Sequence, residues 1–281
     1  MRVNVVSSFP RSGNTWMRFM LATAITGERP SSATLDALIP DAHRALAPIS
    51  EWIQAPGLFV KSHFEPVPLA NFLRGMIAGP AAGLGVDRVR TLHIVRNPFD
   101  CALSVKRFYE TPDEQFDLFL RHFLTAERSF PDAFIRWGFG SWHSNAQRWI
   151  GQAEMAPDDV RIIRYEDMAA DPVGAFNAVF AFFGIAPALP VEACIELCSP
   201  GALRAAEARE VASDEESRFA GIKSKKGAGA RFINGARAGG YRDHLTEDQI
   251  RFGVDNLAPM LTSLGYAPDS FLPEATAALA S

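Results

Sequence analysis

Short apolar runs alternate with helical patterns along most of this chain. Val-Asn-Val-Val-Ser-Ser-Phe (3–9), Leu-Phe-Val-Lys-Ser (58–62), Arg-Thr-Leu-His-Ile-Val-Arg-Asn (90–97) and Val-Arg-Ile-Ile-Arg-Tyr-Glu (160–166) are rich in β-branched residues. Runs of this length, bounded by turn residues, predict buried parallel strands. Between them, residues 15–27, 66–78, 98–109, 141–154 and 173–184 carry helical patterns. The alternation predicts an α/β fold of three layers, a central parallel sheet flanked by helices, with ligands bound beyond the carboxyl ends of the strands.

The first strand breaks into Pro10-Arg11-Ser12-Gly13-Asn14-Thr15-Trp16 before a helix starts. A turn that opens a helix aims unpaired N–H groups and the positive end of the helix dipole at one point. Gly13 lets the backbone approach a ligand, Ser12, Asn14 and Thr15 offer donors, and Arg11 adds a fixed charge. A phosphate or a sulfate suits such a place; the bland alternative is an ordinary turn in which Ser12 or Thr15 caps the helix. A Walker A loop is excluded, because Ser8 stands where its first Gly belongs and Asn14 where its Lys belongs.

A second candidate follows the third strand. Arg96-Asn97-Pro98-Phe99-Asp100-Cys101-Ala102-Leu103-Ser104 places an Arg at a strand end and a Ser two turns into a helix whose first turn holds Pro98. A guanidinium there can fork onto two phosphate oxygens, with the hydroxyl as a third donor.

These runs resemble the phosphate-binding motifs of the sulfotransferases that use 3′-phosphoadenosine 5′-phosphosulfate (PAPS) as donor and release 3′-phosphoadenosine 5′-phosphate (PAP). Residues 10–16 resemble the 5′-phosphosulfate loop, P-[KR]-S-G-[TN]-T-W, and 96–104 the 3′-phosphate motif, R-[ND]-P-x-D-x-x-x-S. Gly140-Ser141-Trp142 with Trp149 resembles the family's G-S-W-x(6)-W helix, and Arg164-Tyr165-Glu166-Asp167-Met168 its [RFY]-Y-E-D-[ML] segment. Lys61-Ser62-His63 resembles K-[TS]-H. The resemblance covers about residues 4–255. It implies a P-loop-type fold, transfer of a sulfuryl group without a metal, and His63 as general base with Lys61 and Arg11 at the transferring group. It also implies donor contacts from Arg11, Ser12, Gly13, Asn14, Thr15, Trp16, Arg96 and Ser104, with Tyr165 against the adenine. Neutral imidazole at pH 7 suits the task of the base; Glu65 is a rival of lower basicity. Glu166 reads as structural and Asp167 as a helix cap.

The likeness loosens toward the C-terminus. Pro200 stands where an adenine-flanking aromatic is usual, Asn145 where a histidine often faces the acceptor, and Tyr241 where Trp is usual. The basic triplet of the 3′-phosphate grip has become roughly Asn234-Gly235-Ala236. Arg237, Arg231 or the cluster Lys223, Lys225 and Lys226 are its possible substitutes.

Composition narrows the rest. The 281 residues, 48% hydrophobic, suffice for one domain over 1–270, with insertions at about 28–57 and 110–140, a mobile loop at about 210–231, and a tail at 271–281. The aromatics of the insertions suit either an acceptor pocket or plain packing. A net charge of −4 argues against a nucleic-acid partner. Cys194 and Cys198 fit packing or, less well, a metal pair. The absence of an apolar h-region or an 18-residue apolar run predicts a cytoplasmic protein with no transmembrane segment. The expected acceptor is a hydroxyl, with an amine as the lesser choice, on a small molecule, lipid or glycan; the oligomeric state is open. The competing readings are a P-loop small-molecule kinase and a non-catalytic module that binds PAP or another nucleotide.

Overall fold

A computed structural model describes residues 1–44, 57–79, 85–125, 138–212 and 237–273. Four strands form one parallel sheet: β1 (Arg2–Ser8), β2 (Leu58–Ser62), β3 (Arg88–Val95) and β4 (Val160–Arg164). Their order is β2-β1-β3-β4, with Val3 opposite Leu58, Ser8 opposite Ile94 and Val95 opposite Arg164. Consecutive parallel strands need crossover connections, and helices supply them.

The helices are α1 (Asn14–Thr26), α2 (Ser32–Leu38), α3 (Pro66–Ala78), α4 (Pro98–Tyr109), α5 (Phe116–Thr125), α6 (Trp142–Met155), α7 (Tyr165–Ala170), α8 (Pro172–Phe183), α9 (Val191–Leu197), α10 (Pro200–Ala212) and α11 (Glu247–Ser263). Val6, Phe59, Leu92 and Ile94 face a core completed by α1, α7, α8 and α9, while Val3, Val5, Leu58 and Val60 face α3 and Trp149 of α6. A third cluster packs α4 and α5 against α11 and the 3₁₀ turn Gly240–Asp243. Pro98 opens α4 under an Asn97 cap, and Ser141 with Ser144 forms a capping box at α6.

The predicted strands and long helices are present, with two corrections. The fourth strand ends at Arg164, so Tyr165 and Glu166 begin α7 rather than end a strand. Asp167 is not the cap of that helix: Arg164 occupies the cap position and its guanidinium pairs with the Asp167 carboxylate at 2.6 Å. An acid in the first turn favours the helix dipole in any case. Of the insertions, α2 falls within 28–57 and α5 within 110–140, while 45–56 and 126–137 lie outside the described residues. Residues 210–212 close α10 instead of starting a loop; the remainder of 210–231, the basic candidates in it, Arg231 and residues 234–236 lie outside the described residues, as do 274–281. Cys194 and Cys198 are buried, and Cys198 packs 3.2 Å from Thr23 Oγ1. Among the described residues no helix is long and apolar enough to cross a membrane.

His93 packs in the core, as its position within a strand suggests. It is 1% exposed, stacks on Trp149 with ring centroids 4.8 Å apart, and has Nδ1 3.1 Å from Ser7 Oγ. Burial pulls its pKa from 6.5 down to about 3. The unfolded chain takes up this proton near pH 6.5, so the stabilisation is whole above that pH and is lost as pH falls from 6.5 toward 3. We expect His93→Phe to lose about 2 kcal/mol less stability than the parent between pH 7 and pH 5. Urea unfolding at the two pH values measures this, and identical losses would contradict it.

Candidate active site

The sheet order brings the four strand ends side by side. His63 follows β2, the Pro10–Trp16 loop follows β1, Arg96 follows β3 and Tyr165 follows β4. They open onto one cavity of about 420 Å³, whose wall also includes Lys61, Asp100, Ser104, Arg107, Phe108, Tyr109, Phe139, Pro200, Arg237 and His244.

The loop is shaped by two left-handed residues. Arg11 has φ 71° and Gly13 φ 97°. Left-handed residues in a turn are a common source of concave rows of N–H groups that suit an anion. Gly13 is required for a second reason: a Cβ there would lie 2.6 Å from Tyr165 Cδ2. Gly13 is also the cap residue of α1 and, having no side chain, makes no cap hydrogen bond to the N–H groups of that helix start. The alternative of a Ser12 or Thr15 cap is therefore not what forms.

The side chains of the loop divide. Arg11, Gly13, Asn14, Thr15 and Trp16 line the cavity, whereas Ser12 does not; it is fully buried with Oγ 3.7 Å from Cys101 Sγ. The Asn14 amide turns inward and donates to Val6 O at 2.9 Å and Ser8 Oγ at 3.3 Å. Asn14 thus braces the end of β1, and its backbone, not its side chain, belongs to the helix start. Arg11 Nε donates to Ser104 Oγ at 3.1 Å, and its guanidinium stands 4.9 Å from the Phe108 ring centroid. Burial, then Arg96, pulls the Arg11 pKa down to about 10.

Arg96 is the hub of the other half. Its Nη1 donates to Arg11 O and its Nη2 to Arg237 O, each at 3.2 Å, and the guanidinium lies 4.6 Å from the Tyr165 ring centroid. Arg96 Nε is buried with no hydrogen-bond partner among the described residues. Asp100, singled out above only as a motif letter, binds the far end of the chain: its oxygens accept from Gly239 N–H at 2.7 Å and Tyr241 N–H at 2.8 Å. Arg237 lines the cavity and pairs with Asp243 at 2.8 Å.

His63 Nδ1 lies 2.7 Å from Ser8 O. A carbonyl only accepts, so Nδ1 carries the proton and Nε2 is the acceptor of the ring. Burial first, then Lys61 and His43, holds its pKa well below the ordinary 6.5. Lys61 pairs with Asp41 at 2.9 Å in a buried contact while still lining the cavity. Glu65 does not line it; its carboxylate receives Ser144 Oγ at 2.7 Å and binds Arg148. Glu166 accepts from Asn97 N–H at 3.0 Å and Tyr266 Oη at 2.7 Å, a bracing role. Asn145 is fully buried and donates to Phe139 O at 2.8 Å. Trp142 Nε1 donates to Arg96 O at 3.1 Å, which ties α6 to the end of β3. Asp41 and His43 carry no motif, and sequence reasoning missed both.

Fold and site together define a P-loop-type α/β protein with an arginine- and lysine-lined cavity at the ends of its strands. The chain matches the sulfotransferase domain family over residues 4–256, and it belongs to that family. Sulfotransferase 1A1 of Rattus norvegicus is 25% identical over 194 residues, covering 64% of this chain and 59% of the rat protein. Cytosolic sulfotransferase 14 of Arabidopsis thaliana is 23% identical over 203 residues, covering 64% and 53%. The matches thus span between half and three fifths of these relatives. Among solved structures, mouse sulfotransferase SULT7A1 complexed with PAP superposes with a TM-score of 0.58 at 18% identity, over 92% of this chain and 84% of that one. Retinol dehydratase in complex with androsterone and PAP gives 0.55 at 16% identity, over 92% and 80%.

Proposed function

We propose that this protein transfers the sulfuryl group of PAPS to a hydroxyl of a small-molecule acceptor. The observation that carries the reading is the convergence of an uncapped helix start, Arg11, Arg96 and the Nδ1-protonated His63 on one cavity. The residues fit such a donor: the orphaned Arg96 Nε, the Arg11 guanidinium and the N–H groups of the loop ask for anionic oxygens. When bound, PAPS supplies a sulfuryl group activated by its link to phosphate.

The chain's part is placement and proton transfer. His63 Nε2 takes the acceptor's proton as the acceptor oxygen forms its bond to sulfur and the sulfur–oxygen bond to the 5′-phosphate breaks. Products are the sulfate ester, PAP and a proton left on His63. Arg11, Lys61 and the backbone N–H groups at the start of α1 stabilise charge on the transferring group and the leaving phosphate. Arg96 and Ser104 hold the 3′-phosphate, Tyr165 and Trp16 flank the adenine, and Arg237 adds charge in place of the lost triplet. Phe108, Tyr109 and Phe139 on the wall favour an apolar or aromatic alcohol over a highly charged acceptor. The same reading places the protein in the cytoplasm, with the name of the plant relative in support.

Calorimetry without added metal tests the donor. PAP is expected to bind in the micromolar range, with ADP and adenosine 5′-phosphosulfate much weaker because each lacks the 3′-phosphate. A preference for ATP with Mg²⁺ would point to a kinase, and PAP binding without any transfer to a hydroxyl panel would point to a binding module.

A further inference from the structure

Behind the cavity wall lies a group of residues that the proposed chemistry does not use. After α2 the chain runs along the outer edge of β2: Lys61 N–H donates to Pro40 O at 2.8 Å, and Ala42 N–H donates to Lys61 O at 2.9 Å. This short edge pairing sets residues 41–43 beside Lys61 and His63. The Asp41 carboxylate accepts from Lys61 Nζ at 2.9 Å, with the two side chains 6% and 4% exposed. Its Oδ1 accepts from His43 N–H at 3.1 Å. The backbone N–H of His63 donates to His43 Nε2 at 2.7 Å, and the two rings lie 14° from parallel with centroids 5.6 Å apart. Phe64 and Phe139 meet the His43 ring on its other sides, with centroids at 4.1 Å and 4.6 Å.

Acceptance at Nε2 needs that nitrogen unprotonated, so His43 is neutral with its proton on Nδ1. Burial first, then Lys61, holds its pKa down to about 3, with Asp41 acting in the opposite direction. A ring that stays neutral over the working range is suited to a permanent acceptor and unsuited to carrying protons. Neither Asp41 nor His43 lines the cavity.

We propose that Asp41 and His43 are positioning residues, His43 fixing His63 through its backbone N–H and Asp41 fixing Lys61 through its ammonium group. The proposal rests on the sulfuryl-transfer reading for the roles of His63 and Lys61. His63 is then anchored twice, at Nδ1 by the Ser8 carbonyl on β1 and at its backbone by His43 on the sheet edge. Two anchors on different elements leave the ring little freedom, and Nε2 stays aimed at the reacting oxygen. A displacement of about 1 Å at such a group can cost 10²-fold in rate.

The charged and titratable groups facing His63 are Lys61 on β2 and Asp41 and His43 on the edge segment, with the Ser8 carbonyl on β1. Asp41 and the Ser8 carbonyl favour imidazolium, and Asp41 is the one of the two that carries a charge. Asp41→Asn is therefore expected to move the acid limb of kcat/KM to lower pH, which loss of packing alone would not do.

Two variants of His43 separate its acceptor from its bulk. His43→Phe keeps an aromatic ring between Phe64 and Phe139 but offers no acceptor; His43→Gln offers a carbonyl oxygen without a ring. With 2-naphthol as the hydroxyl probe, kcat is expected to fall on the order of 10–100-fold in His43→Phe, the penalty of a buried N–H left unpaired, while PAP affinity stays unchanged. His43→Gln is expected to recover the parent rate to within about threefold. The reverse order, an active Phe variant and an impaired Gln variant, would mean plain packing and overturn the proposal. A readout independent of turnover is the ring-nitrogen spectrum of ¹⁵N-histidine-labelled protein. His63 should be one Nδ1–H tautomer in the parent and in His43→Gln, and a mixture in His43→Phe. If the parent neither binds PAP nor transfers sulfuryl, the functional reading fails; one tautomer in all three proteins makes the positioning proposal fail by itself.

Discussion

Replacing His63 with alanine is expected to lower turnover by about 10²–10⁴-fold, the usual worth of a placed general base, and to leave PAP affinity nearly unchanged. The asymmetry follows from placement. His63 stands at the end of β2 with Nδ1 committed to Ser8 O, while the phosphate-directed groups come from the β1 loop and from β3. The depressed pKa keeps the ring unprotonated well below pH 6.5 in the free protein. Bound anionic oxygens favour imidazolium and push the value back up, so kcat should fall with acid at a higher pH than kcat/KM. Steady-state kinetics of the variant beside calorimetry with PAP checks the first expectation. Full activity in the alanine variant would remove His63 from the mechanism and return attention to other cavity residues.

Arg96→Ala is expected to weaken PAP by about 1–3 kcal/mol, a 5- to 150-fold loss, as charge-assisted bonds disappear. Arg96 also braces the structure through Arg11 O and Arg237 O, so a general loosening of the pocket is the competing cause. ADP separates the two. It carries the adenosine and the 5′-phosphates without the 3′-phosphate, and its affinity should change little. Equal losses for PAP and ADP would show that Arg96 supports the pocket as a whole and does not read the 3′-phosphate.

The strands and the long helices were legible because their short β-branched runs and amphipathic stretches agree locally with their fate, with side-chain caps at α4, α6 and α8. The place of the candidate site followed from topology, since the motifs at 10–16, 61–63, 96–104 and 164–168 all sat at strand ends, with the Gly140–Trp149 stretch apart from them on α6. Side-chain directions were less legible. Ser12 and Asn14 were read as ligand donors, yet in a tight turn one hydroxyl meets Cys101 and one amide meets the end of β1. Tyr165 and Glu166 extended the pattern of a strand, and only packing decided that the helix starts one residue past Arg164. Asp41 and His43 left no signal at all. Their placement depends on two hydrogen bonds at the sheet edge, which no periodicity announces. Asp100 was visible as a motif letter, but its partners Gly239 and Tyr241 come from far along the chain.

That long reach bears on the order in which the molecule is made. Ribosomes extend a chain at about 5–20 residues per second, and folding begins on whatever has emerged. All four strands are present once Arg164 has been added, so the sheet and its row of strand ends can assemble on the nascent chain. Gly239 and Tyr241, which close over Asp100, and Arg237, whose carbonyl receives Arg96, arrive roughly 4–15 seconds later. During that interval the newborn protein has its scaffold and its loop but one wall of the pocket is still unsynthesised. The wall that Arg237, Gly239 and Tyr241 contribute is thus a late arrival, and a product terminated before residue 237 would have the sheet and the loop without that wall.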